Sequence, residues 1–448
     1  MKAKMRLAII GTGIAGNTAA YCLSQNSANS IAIYEKEPRI GGHSATVDID
    51  HSGTKIAVDT GFIVYNELNY PELTGLFAHL DVKTESSDMS FGVSANQGGY
   101  EWCGRTHDVF RGLFAQKRNL FSPRHIGMLL EILRFNNVAR SDYLNGRLLG
   151  MTLGDYLAQK KFSSKFRDAY LVPMGASIWS MSPKAMLGFP IHSFVDFCEK
   201  HCLLQWDRPV WRTVTGGSRH YVQALTAGFQ SRVKTSTAAT KIRRSGTEVQ
   251  VWDDKGNMAT FDHVIMACHS DQSLALIDDP SKAEKAILGS IRYKENDVWL
   301  HCDPQLMPKR KLAWAAWNVL QQADPDQPVC LTYWMNILQN IDKSKPVFVT
   351  LNPSTPPRSG MVFGRYSYAH PQYDEASVAA QARLHEIQGV QGIWFCGAWT
   401  GYGFHEDGLM SGLNVARLLG STAPWHVDSS SARQHVVNDH AMQTQAAE

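Results

Sequence analysis

The segment from residue 5 to residue 42 constrains the fold more than any other part of the chain. An apolar run, Leu7-Ala8-Ile9-Ile10, meets the glycine-rich turn Gly11-Thr12-Gly13-Ile14-Ala15-Gly16, and a helical pattern through Thr18, Ala19, Ala20 and Leu23 follows. A second apolar run, Ile31-Ala32-Ile33-Tyr34, ends in Glu35, and the doublet Gly41-Gly42 comes shortly after. This order is that of a βαβ unit holding a dinucleotide. Gly11 permits the tight turn, Gly13 lets the backbone approach a pyrophosphate, and Gly16 lets helix and strand pack closely. Ile14 and Ala15 open a helix whose positive N-terminal end faces the phosphates. An acid at position 35 suits a ribose 2'-hydroxyl and disfavours the 2'-phosphate of NADP.

Beyond Glu35 come Lys36, Arg39, Gly41-Gly42-His43-Ser44 and Asp59-Thr60-Gly61-Phe62. Near the other end, Ile393-Trp394-Phe395-Cys396-Gly397-Ala398-Trp399 leads to Asp407-Gly408-Leu409-Met410-Ser411-Gly412-Leu413-Asn414-Val415-Ala416. With these motifs the chain resembles the superfamily of flavin monoamine oxidases, phytoene desaturases and protoporphyrinogen oxidases. There the glycine doublet marks FAD rather than NAD, and a strand, a glycine and a helix close the flavin site. The resemblance implies cofactor contacts from Lys36, Arg39, Gly41, Gly42, His43, Thr60, Gly61 and Phe62. It implies the same of Gly397, Asp407, Gly408, Leu409, Met410 and Ser411, and an adenine contact through the backbone of Val233. Gly408 and the first amides near Met410 suit a polar flavin edge or a pyrophosphate. The competing reading of Gly408 and Gly412 is close helix packing alone.

The 448 residues suggest two or three domain-sized units. A formal net charge of +3 is too small to argue for nucleic acid. Eight cysteines without a CxxC pair or a disulfide-type spacing fit a reducing cytoplasm, and no metal is expected. The apolar residues of Met1 to Ile10 break on the glycine turn, which argues against a signal peptide. No run reaches the ~18 apolar residues of a spanning helix. A soluble protein is expected, or one bound peripherally to the inner face of the membrane.

The expected fold class is α/β, a Rossmann-like, glycine-doublet FAD-binding domain with an interleaved α+β substrate domain. Residues 1–70, 215–292 and 385–422 are assigned to the first, 71–214 and 293–384 to the second, and 423–448 to a disordered tail. Strands are expected between Met89 and Trp102 around a turn at Asn96-Gln97-Gly98-Gly99, at Ala239–Arg243 and Glu248–Trp252 about a hairpin, and at Val264–Ala267. Helices are expected after Tyr70, over 152–171 and 184–203, and after the N-cap Ser122 with Pro123 in the first turn. This last helix carries Arg124, Arg134 and Arg140 beside Leu129, Leu133 and Phe135, a pattern suited to lipid phosphates and acyl chains or to a cap facing the core.

Because a flavin carries out the redox step itself, side chains near its ring decide the substrate. Resembling amine oxidases place a lysine where this chain has Asp297, three residues from Lys294, which weakens an amine oxidase reading. Asp297 is a candidate catalytic residue, with a solvated strand-end carboxylate as its plain alternative. His405 is a candidate general base, since imidazole titrates near neutrality. Trp399, Tyr402 and Phe404 suit either a substrate tunnel or core packing. His43 and His370 stay open, His43 leaning towards the cofactor.

Across nearly its whole length the chain is similar to bacterial amine-oxidase-like proteins associated with cyclopropane-fatty-acid-synthase-type methyltransferases. The carriers are Asp59-Thr60-Gly61-Phe62-Ile63-Val64-Tyr65-Asn66, Trp211-Arg212-Thr213-Val214-Thr215-Gly216-Gly217-Ser218 and Gly397 to Gly412. That likeness implies dehydrogenation of a methyl-branched unsaturated fatty acyl chain, with a hydrophobic or lipid substrate and an unknown electron acceptor. The alternatives are an FAD-dependent amine oxidase and a flavin-binding protein without catalysis.

Overall fold

The computed structural model describes residues 4–105, 108–204, 209–322 and 324–427. β1 (Arg6–Ile10) passes through the glycine turn into α1 (Ile14–Ser24) and back along β2 (Ser30–Tyr34). These strands lie in a five-stranded parallel sheet ordered Val233–Lys234, β2, β1, His263–Met266, Ile393–Phe395. Three separated stretches of chain therefore build one sheet. β1 sits at its centre, buried on both faces, so its residues read as a continuous apolar run; Leu7, Ala8 and Ile9 are fully buried.

The closing helix His405–Leu418 lies against α1, and two glycines set how closely they approach. A Cβ at Gly412 would stand 2.2 Å from the Ala15 carbonyl oxygen, and one at Gly408 would stand 2.7 Å from Ile14 Cγ2. Glu406 accepts the Glu72 and Leu73 amides at 2.7 and 3.0 Å and so ties this helix to the start of α2 (Pro71–His79).

A seven-stranded sheet runs in the order Val362–Gln372, Arg292–His301, Phe348–Leu351, Cys330–Trp334, Trp317–Leu320, Phe91–Ala95, Tyr100–Gly104. Its neighbours are antiparallel except Trp317–Leu320 beside Phe91–Ala95, which is parallel. The expected strand pair around Asn96–Gly99 is present. So is the hairpin of Ala239–Ser245 and Glu248–Asp253, whose turn is held by the Asp253 carboxylate accepting the Lys255 and Asn257 amides.

The Pro123–Leu144 helix begins as expected, with Ser122 Oγ accepting the His125 amide at 3.3 Å. One face meets the core, as the cap reading expects, and Phe135 belongs to that face rather than to the outward set. Met128, Phe135 and Ala139 form the buried stripe, and Phe135 packs on Phe162 and Phe166, so it does not reach outward. Arg134 lies over the Phe162 ring and donates to the Lys160 carbonyl, while Arg140 pairs with Glu199 at 2.9 Å. The expected helix over 184–203 is two, Pro183–Leu187 and Ile191–Lys200, separated at Pro190, which has no N–H to continue the ladder.

Trp425 falls in the segment expected to be a disordered tail, yet it is buried and donates to Glu72 at 2.8 Å. Residues 428–448 lie outside the described residues. Among the described residues, no helix is long and apolar enough to cross a membrane.

Candidate active site

A cavity of about 2050 Å³ is lined by both glycine motifs and by the seven-stranded sheet. A single small-molecule pocket holds roughly 300–1,000 Å³, so there is room for a dinucleotide and a second ligand.

At one end the first motif forms a cradle. Gly11 has φ +105°, and a Cβ there would meet the Ala267 carbonyl oxygen at 2.8 Å. Gly16 packs so tightly that a Cβ would stand 2.1 Å from the Gly11 carbonyl oxygen, whereas a Cβ on Gly13 would meet nothing within 4 Å. That open space, with Ile14 and Ala15 beside it in the cavity wall, is where a pyrophosphate would approach the start of α1. Glu35 lines the wall and is anchored by the Thr12 amide at 3.0 Å and hydroxyl at 2.6 Å, with Glu37 N donating to its other oxygen. The Gly41 amide donates to the Thr12 carbonyl at 3.1 Å, and Arg39 donates to the carbonyls of Gly42 and Ser44, bracing the doublet loop against the turn. Gly42, with φ +56°, lies so close to the turn that a Cβ would meet Gly13 Cα at 3.0 Å. Lys36, Arg39, Gly42, His43, Gly61 and Phe62 all line the cavity; Gly16, Gly41 and Thr60 stand behind its wall, Thr60 bonding the Tyr368 hydroxyl at 2.7 Å.

The closing motif lines the cavity with Gly397, Ala398, Trp399, Gly403, Phe404 and His405. Asp407, Gly408, Leu409, Met410 and Ser411 do not line it, contrary to expectation. Asp407 and Ser411 hold the lining loop. Burial raises the Asp407 carboxyl to about 6, and it accepts the Tyr402 and Phe404 amides at 3.1 and 2.9 Å. Ser411 Oγ accepts the Gly397 amide at 2.9 Å, Leu409 is core, and Gly408 packs on α1. Val233 stands on the edge strand beside β2, as expected, but does not line the cavity, whose wall there is formed by Ala238 and Ala239.

Neither catalytic candidate meets its expected role. Asp297 lies within the Arg292–His301 strand, away from the cavity, where Arg365 donates to it at 2.7 Å and the Trp299 indole at 2.7 Å. Lys294 does not replace it, since it is not among the lining residues although its strand partner His370 and its neighbours Tyr293 and Glu295 are. His405 does line the cavity. Its Nε2, however, is engaged by the Tyr221 hydroxyl at 2.6 Å and Ser44 Oγ at 3.2 Å, and burial followed by His43 holds the imidazole near 3. That is too weakly basic for proton abstraction near neutrality.

A cluster of neutral rings faces the cradle. His43 lies 5.2 Å from Tyr368 and 5.8 Å from His370, and His269 stacks on Tyr293 at 4.4 Å. Burial, reinforced by neighbouring cations and imidazoles, holds His43 and His269 near 4; burial and His43 hold His370 near 3. His43 Nε2 is buried without a partner, an orphaned polar atom that a bound cofactor would satisfy. His269 stands three residues beyond the parallel strand His263–Met266, and ligands in such sheets sit past the strands' C-terminal ends, a signal that marks this position in the sequence too.

The other end of the cavity is walled by Phe91, Trp102, Tyr170, Trp317 and Tyr333 with Leu129, Ile132 and Met174. The carboxylates of the lining among the described residues, Glu35, Glu37 and Glu295, gather at the cradle end, where Glu295 and Lys36 both act on His269. At the aromatic end Arg105 supplies the one charged side chain among the described residues, donating to the Lys311 and Trp314 carbonyls at 3.1 and 3.3 Å.

A family profile described as flavin containing amine oxidoreductase matches residues 14–335. No curated protein matches the sequence. Among solved structures, putrescine oxidase bound to putrescine aligns at TM-score 0.64 and 14% identity, over 93% of this chain and 99% of that one. A CLA-producing fatty acid isomerase from P. acnes aligns at 0.63 and 14%, over 93% and 98%. A putative protoporphyrinogen oxidase from Exiguobacterium sp. 255-15 aligns at 0.63 and 16%, over 94% and 99%. At these identities the likeness is one of fold. The cradle at Gly13, the anchored acid at Glu35 and the orphaned His43 nitrogen fit an FAD lying along this wall.

Proposed function

The chain belongs to the flavin containing amine oxidoreductases and is an FAD-dependent oxidoreductase, and from that premise we propose that it dehydrogenates a hydrophobic substrate such as a methyl-branched unsaturated fatty acyl chain of a phospholipid. One observation carries this reading: among the described residues, the aromatic end of the cavity has no carboxylate and no lysine, and its walls are mainly apolar and aromatic, with Arg105. An alkyl chain gains about 0.8 kcal/mol per CH₂ buried on such a wall, and an anionic headgroup suits a guanidinium. That a fatty acid isomerase shares the fold supports the reading at the level of fold.

Bound FAD supplies a two-electron acceptor for a hydride from carbon. The protein's own part is positioning and exclusion. The amides at Gly13–Ala15 and the braced doublet loop fix one end of the cofactor, the rings of His43, Tyr368 and His370 stay neutral, and the aromatic wall keeps water from the reacting carbons.

Amine oxidation is the second reading, favoured by the family description and the putrescine oxidase fold. The aromatic end offers a cationic amine a set of ring faces but, among the described residues, no carboxylate, since Glu35, Glu37 and Glu295 stand at the cradle end. Mass spectrometry of a methylated unsaturated phospholipid after incubation with the holoprotein separates the two. Loss of two hydrogens from the acyl chain supports dehydrogenation; an untouched lipid beside oxidised amines refutes it.

A further inference from the structure

The exposed large apolar side chains of this protein are concentrated. Val109, Phe110, Leu120, Phe121, Ile126 and Leu130 all fall within residues 109–130, Phe121 being 83% exposed, and Leu133 follows within one turn. Burying none of these on the protein itself is costly unless another apolar phase covers them.

The charge around them is equally biased. Residues 105–134 contain Arg105, Arg111, Lys117, Arg118, Arg124 and Arg134 against Asp108 and Glu131, a net +4 where the whole chain carries +3. Lys117, Arg118 and Arg124 are exposed and form no ion pair among the described residues. Lys165, set over the Tyr100 ring at 3.0 Å, is lowered to about 8 by burial and then by Arg118 and Arg124, so the cations here crowd one another. The patch is continuous with the cavity. Val109 and Leu133 are exposed on it and line the cavity's aromatic end together with Leu113, Leu129 and Arg105.

We propose that this surface docks on an anionic lipid bilayer, and that an acyl chain enters the cavity between the Val109–Leu113 helix and the Pro123–Leu144 helix. Apolar residues ringed by unpaired lysine and arginine match the boundary between acyl chains and anionic headgroups. The docking stands on the surface itself; only the nature of the cargo rests on the acyl-chain reading above.

The test is sedimentation of the holoprotein with phosphatidylglycerol or phosphatidylcholine vesicles, without turnover. The wild type binds phosphatidylglycerol vesicles, more weakly as salt rises. The F110S/F121S and K117E/R118E/R124E variants each lose roughly tenfold or more in partitioning while keeping the flavin spectrum and the melting midpoint. No binding by the wild type, or equal binding by the variants, overturns the proposal. So does a wild-type dimer that F110S/F121S converts to monomer without any vesicle binding, since the patch then belongs to a second copy. Vesicle binding with no oxidation of the lipid leaves docking intact and counts against the acyl-chain reading alone.

Discussion

The imidazole of His405 stacks on the ring of Phe62, with centroids 3.8 Å apart and planes 11° from parallel. One residue follows the glycine doublet and the other opens the closing helix, so this pair joins the two motifs from opposite ends of the chain in one cavity wall. Tyr221 fastens the pair from a third segment through its hydroxyl on His405 Nε2.

Since His405 acts as wall and fastener, His405→Gln lowers the anaerobic rate of flavin reduction by no more than about fivefold. Loss of a general base costs about 10²–10⁴ in rate. Stopped-flow absorbance distinguishes the two, and a loss in the upper range would return His405 to the chemistry.

Gly13 and Gly16 respond to substitution in different ways. Gly13→Val folds, because a Cβ there meets no protein atom within 4 Å, but its side chain occupies the pyrophosphate's approach and yields colourless protein. Gly16→Ala places a methyl against the Gly11 carbonyl and destabilises the fold by roughly 1–3 kcal/mol. Visible spectra with urea unfolding check both, and a yellow Gly13→Val protein refutes the cradle.

How much of this was legible depends on whether a residue's role is local. The turn at Gly11–Gly16, Glu35 and the Ser122 cap are set by neighbours in sequence, so spacing reveals them. Phe135 and Leu130 look alike in sequence, and only packing against Phe162 and Phe166 separates the buried one from the exposed. Asp297 and Asp407 read as functional acids, yet each is held by a structural bond to residues whose placement requires the folded sheet or loop. Tyr293 and Glu295 enter the site only because two sheets meet there.

His301 makes stability depend on pH. It is fully buried in the seven-stranded sheet, bonds Thr350 Oγ1 through Nε2 and accepts the Asp303 amide at Nδ1, an arrangement of the neutral ring. Burial lowers it from 6.5 to about 4. The unfolded chain takes up a proton near pH 6.5 and the folded chain only near 4. The stabilisation is therefore full above pH 6.5 and is lost as pH falls towards 4, by about 3 kcal/mol. Urea midpoints at pH 7 and 4.5 fall less steeply in His301→Gln; an unchanged slope contradicts this.

The aromatic end is reached by shape. Leu129→Trp fills it from the Pro123–Leu144 helix, raising KM for a long acyl chain by roughly 10–200-fold while flavin content stays the same. Steady-state kinetics against chain length provide the check, and a KM independent of chain length would remove this end from the substrate path.

The most direct measurement is the anaerobic visible spectrum of the yellow holoprotein titrated with methylated unsaturated phospholipid in one cuvette and with primary and secondary amines in another. Bleaching of the flavin by the lipid and not by amines is the result expected of a cavity whose aromatic end, among the described residues, has neither carboxylate nor lysine. Bleaching by amines alone would contradict the acyl-chain account.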